Sequence, residues 1–99
     1  MTRILMIDRL VVLTGKIQHH LIQLGFDLPP VVDIHNNKLK QINMSFMQMS
    51  LVIANRTSPL LFTNAANVFT AIMAEHADIT SLEDLLTLTE RIHGYVSSY

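Results

Sequence analysis

The chain has 99 residues, 49% of them apolar and 15% charged, with a formal net charge of −1 and no cysteine. That length supports one core, and residues 1–99 read as a single domain. The charge balance offers no electrostatic basis for gripping nucleic acid or an anionic membrane surface, and without cysteine there is no disulfide, no thiolate nucleophile and no cysteine-type zinc site, which fits a reducing cytoplasm.

The opening run Arg3-Ile4-Leu5-Met6-Ile7 stops at Asp8-Arg9. Charges at Arg3, Asp8, Arg9 and Lys16 interrupt it too soon for a signal peptide, and no later run is long enough to span a bilayer. The run reads instead as a buried strand that carries an acid to the edge of a sheet. From Leu10, apolar residues recur at Leu13, Ile17, Leu21 and Leu24, which places one stripe on an amphipathic helix. Gly25 is suited to the left-handed position just past that helix, with Phe26 folding back on Leu21.

Pro30-Val31-Val32-Asp33-Ile34 is β-branched and bounded by prolines and asparagines, so it reads as a second strand. Asn36 or Asn37 then caps a helix carrying Leu39, Ile42, Phe46 and Met49. The continuous run Ser50-Leu51-Val52-Ile53-Ala54-Asn55 suits a strand covered on both faces. After Thr57-Ser58-Pro59, two readings stay open. Either Ser58 caps a helix that starts at Pro59, or Leu60-Leu61-Phe62 is a short strand and the helix begins near Asn64. Last, Thr80-Ser81-Leu82-Glu83 has capping-box spacing and opens a leucine-rich helix that Gly94 closes.

Strands alternating with helices predict an α/β fold: a small parallel sheet in a three-layer sandwich, with helices on both faces and function gathered at the carboxyl ends of the strands. The chain order resembles the receiver domain of bacterial response regulators. RILMID followed by a helix ending in LIQLGF is similar to the receiver opening, LVIAN to the third strand, SPLLFTNA to the fourth, and EHADITSLEDLL to the passage into the last helix. The resemblance implies a flavodoxin-like sheet and a pocket at Asp8, Arg9, Asn55 and Thr63, with Asn64 the alternative to Thr63.

Receiver chemistry needs two adjacent acids after the first strand and an aspartate ending the third, to hold a divalent metal and accept a phosphoryl group. Here Asp8 matches the first acid, Arg9 replaces the second and Asn55 replaces the phosphoacceptor. A guanidinium repels a metal, and an amide is no phosphoryl acceptor. The lysine expected near Ile79-Thr80-Ser81 is absent, and the three residues between Asn55 and Pro59 leave no room for the third receiver helix.

The expectation is therefore a pseudo-receiver: no enzyme, no metal or cofactor, a regulatory module in bacterial signalling that binds a protein partner in the cytoplasm. Self-association through the Leu82 to Leu88 face of the last helix is a further expectation. The five histidines, His19, His20, His35, His76 and His93, show no i, i+4 pair and read as surface or packing residues. The six methionines read as core filler.

A reading from another class starts at Ser45. Residues 42–51 resemble the acyl carrier protein site, where a serine at a helix start carries phosphopantetheine, although Met44 stands where the aspartate is usual. That alternative is an all-helical carrier, or a small helical adaptor whose methionine-rich groove receives a partner helix.

Overall fold

The computed structural model describes residues 2–29, 38–54, 59–74 and 79–99. Four helices account for nearly all of them: α1 (Arg3–Gln23), α2 (Lys38–Val52), α3 (Pro59–Ala74) and α4 (Ile79–Ser97). There is no strand among the described residues, so the α/β, flavodoxin-like sandwich is replaced by a small all-helical fold. The strand expected at 30–34, the caps at Asn36, Asn37 and Ser58, and the strand-end residue Asn55 lie outside the described residues.

The first correction concerns residues 3–7. Thr2 caps α1, its Oγ1 accepting the Leu5 N–H at 3.3 Å while its carbonyl accepts the Met6 N–H at 3.0 Å. The buried stripe then runs Met6, Leu10, Leu13, Ile17 and Leu21 at steps of three and four. Within RILMI only Met6 is fully buried; Ile4 is 72% exposed. The run looks strand-like because two exposed apolar residues precede one core residue, and the helical period continues straight through it.

Residues 50–54 are corrected for a related reason. The α2 core positions are Ile42, Ser45, Phe46 and Met49, and Ile53 extends them by one more turn, its N–H donating to Met49 at 3.1 Å. Leu51 is 79% exposed and Val52 also faces outward, so the run is the last turn of an amphipathic helix and not a doubly covered strand.

Helix ends follow local chemistry. At the end of α1, the Gly25 N–H donates to Ile22 and the Phe26 N–H to Leu21, both at 3.0 Å, the paired bonds of a Schellman cap. Gly25 has φ +99°, and Phe26 packs on the core cluster that contains Leu21, as expected. α3 begins at Pro59, in agreement with the helical reading of SPLLF and against the short strand at 60–62. α4 begins at Ile79, ahead of the predicted cap at Thr80, and it passes through Gly94 to Ser97. A single interior glycine costs about 1 kcal/mol, which is too little to end a helix whose flanking Ile92 and Val96 are both buried.

The helices form a closed ring. α1 packs closely along α2 and α4, α3 packs closely along α2 and α4, and the diagonal pairs keep their backbones farther apart. A single cluster fills the centre, with Phe46, Phe62, Phe69, Met6, Met49 and Ile92 among its buried members. Leu28, after α1, closes one side of it. The α2–α3 edge therefore lies opposite the α4–α1 edge.

Candidate functional site

The residues of the expected pocket do not converge. Asp8 and Arg9 are neighbours on α1 whose side chains part: Asp8 pairs with Lys38 at the start of α2, and Arg9 Nε lies 3.9 Å from Glu90 Oε1 on α4. Thr63 is exposed on α3, far from both in the chain and on the helix diagonal to α1. The two ion pairs join neighbouring helices at exposed positions, where each contributes about 0–1 kcal/mol. Without a sheet there are no strand tips to gather these groups, so the pocket that the receiver resemblance implied has no scaffold.

Ser45 sits inside α2 at 2% exposure. Its hydroxyl donates to the Gln41 carbonyl at 2.9 Å. A prosthetic group attached there would require the side chain to leave the core. The other buried hydroxyls behave alike: Thr14 donates to Leu10 and Val11 at 2.9 and 3.0 Å, and Thr89 to Leu85 at 2.7 Å. Each helix supplies the acceptor for its own hydroxyl, so these groups sit in the core without an orphaned donor.

Among the described residues no three His, Asp or Glu side chains are placed to hold one metal ion. Also among them, no helix is long and apolar enough to cross a membrane. On the leucine face of α4, Leu82 and Leu85 are buried, and Leu86 and Leu88 are partly buried against the core.

Among the described residues, a groove lies between α2 and α3. Met47, Ser50 and Leu51 line one side and Thr63, Ala66 and Asn67 the other. Both triads have i, i+3, i+4 spacing, so each helix presents one short ridge and the groove lies between the two. Its volume is about 220 Å³ and its walls are mostly carbon, below the ~300–1,000 Å³ of ordinary small-molecule pockets. No lining residue titrates near neutrality, and the Ser50 hydroxyl is committed to the Phe46 carbonyl at 2.8 Å. The site has the means to bury apolar side chains but no acid, base or activated nucleophile to drive a reaction.

Of the residues singled out from sequence, Thr63 alone belongs to this groove. A methionine-rich groove was expected only as an alternative and without its residues: Leu51 was read into a buried strand, and Ala66 and Asn67 carry no signal of their own. Met6 and Met49 are buried, but Met44, Met47 and Met73 are exposed. A signal was present: from Gln41 to Ala74 the sequence has one charge, Arg56. Set beside protein-family models, curated proteins and solved structures, the chain finds no match.

Proposed function

We propose that this protein is a non-catalytic helical adaptor that works in the cytoplasm by docking an apolar helix of another protein into the α2–α3 groove. The observation that carries the reading is an open, carbon-lined groove with no charged side chain among its lining residues, whose walls include the exposed Met47 and Leu51. Methionine suits such a surface because its unbranched, polarisable side chain adapts to different apolar partners. Shallow grooves of this kind hold a helix by its i, i+3, i+4 side chains, matching the spacing of the ridges that form it.

Site-specific photo-crosslinking tests the reading. A photoreactive amino acid at Leu51, in the native host, is expected to give a discrete covalent adduct with a protein. The same residue at Glu83, exposed on α4, is expected to give none. Equal labelling from both positions, or none from Leu51, would overturn it.

A further inference from the structure

We infer that Tyr95 and Tyr99 form an oxidative modification site, where a one-electron oxidant couples the two rings of one chain into a dityrosine clasp at the end of α4. The site is independent of the α2–α3 groove. Composition narrows the chemistry first. The chain holds two tyrosines, no tryptophan and no cysteine. An oxidant that takes single electrons from indoles, thiols and phenols therefore finds phenols alone, and both lie within one helical turn.

Residues four apart on a helix share a face, and the local backbone keeps that geometry here. The Ser98 N–H donates to the Tyr95 carbonyl at 3.3 Å and the Tyr99 N–H to the Val96 carbonyl at 3.2 Å. The Ser98 hydroxyl donates to the same Tyr95 carbonyl at 2.6 Å. These bonds carry the turn past Ser97, where α4 ends, and bring Tyr99 back over Tyr95. The two hydroxyls meet at 2.7 Å, with ring centroids 5.4 Å apart and ring planes at 76°. Tyr95 packs against the core while Tyr99 is 59% exposed, so one ring is anchored and the other has room to turn.

Hydrogen peroxide, acting through a haem peroxidase, balances the reaction. Each phenol loses one electron to the oxidant and its hydroxyl proton to water, which leaves two phenoxyl radicals with unpaired density on the carbons ortho to oxygen. A carbon–carbon bond forms between one ortho carbon of each ring. The hydrogens on those carbons then move to the oxygens and restore two phenols, while the peroxide takes up two electrons and two protons and becomes two waters. The ortho carbons flank the carbons that bear the touching hydroxyls, so a turn of the Tyr99 ring brings them together. Coupling within the chain outruns coupling between chains: a short flexible linkage already gives an effective concentration of about 1 mM, and a fixed geometry gives far more. Thiols do not reduce the new bond, so the clasp is permanent.

Treating the purified full chain with a haem peroxidase and hydrogen peroxide, well below ~1 mM chain, is the test. Trypsin cleaves after Arg91 and releases the segment from Ile92 to Tyr99, which holds both tyrosines and no methionine, so sulfoxides formed elsewhere leave its mass unchanged. That segment is expected to lose two hydrogen atoms and gain the blue fluorescence of dityrosine, while the protein remains a single 11.2 kDa chain. Tyr95→Phe and Tyr99→Phe should each abolish this product and keep the helical circular dichroism spectrum. The double variant Tyr99→Phe, Ser97→Tyr retains two tyrosines but sets them two positions apart, on different sides of the helix, and should lower the yield within the chain by at least about tenfold. A segment left unmodified, one that gains oxygen without losing two hydrogens, products that join two chains in place of the clasp, or an equal yield from the double variant would overturn the inference.

Discussion

Buried hydroxyls and buried rings are both inside this core, but they contribute on different scales. Thr14 and Thr89 donate to carbonyls of their own helix, so removing the hydroxyl removes the donor along with the bond. Thr14→Val or Thr89→Val is expected to change unfolding free energy by less than about 1 kcal/mol in urea titrations. Phe46→Ala, at a fully buried ring, should cost about 3–5 kcal/mol in the same measurement. At the end of α4, the Tyr95 and Tyr99 hydroxyls lie 2.7 Å apart, with their rings edge to face. The hydrogen bond with Tyr99, followed by desolvation, raises the Tyr95 phenol above its ordinary value. A raised phenol contributes its stability in full below about pH 10, the unfolded value, and loses it as pH climbs through the folded one. Ultraviolet titration should show one tyrosine ionising late, and Tyr99→Phe should return Tyr95 towards ordinary behaviour.

Helices here are set by phase and caps more than by composition. Gly15 and Gly94 lie within α1 and α4, both exposed, with nothing within 4 Å of a Cβ added at either. Gly15→Ala and Gly94→Ala are each expected to stabilise the protein by up to about 1 kcal/mol. Gly25 has equal room but φ +99°, so Gly25→Ala should destabilise by about 1–2 kcal/mol. Thermal melts of the three variants would show two rises and one fall. The part of α1 from Leu10 on and its glycine stop were legible in sequence, and a helix starting at Pro59 was one of two open readings, because caps and the three-and-four spacing act locally. RILMI and SLVIAN were misread because a short apolar run carries no clear period of its own; their phase shows only when Met6 is joined to Leu10 and Ile53 to Met49.

For the whole molecule, stability resides in the shared core and not in the charges around it. Asp8–Lys38 and Arg9–Glu90 link α1 to its two neighbours at exposed positions. Asp8→Asn and Glu90→Gln should each lower stability by less than about 1 kcal/mol at low salt, with the difference shrinking as salt is added. Chemical denaturation at two ionic strengths checks this. The ring also makes the two edges unlike, because the chain segments that lack charge become neighbours in space. The candidate site was therefore half legible: the long stretch with Arg56 as its only charge is plain in the sequence, and the groove is not.

The amino-acid sequence by itself determined the amphipathic stripes, the Gly25 stop, the absence of cysteine chemistry and the scarcity of charge between Gln41 and Ala74. Those properties depend on residues a few positions apart or on composition alone. Tertiary structure alone decided that Asp8 and Arg9 part to different helices, that Ser45 turns inward while Met47 and Leu51 turn outward, and that α2 and α3 lie side by side with a groove between them. A side chain's surroundings are set by which helices pack around it, and that choice depends on how four apolar stripes together fill one core.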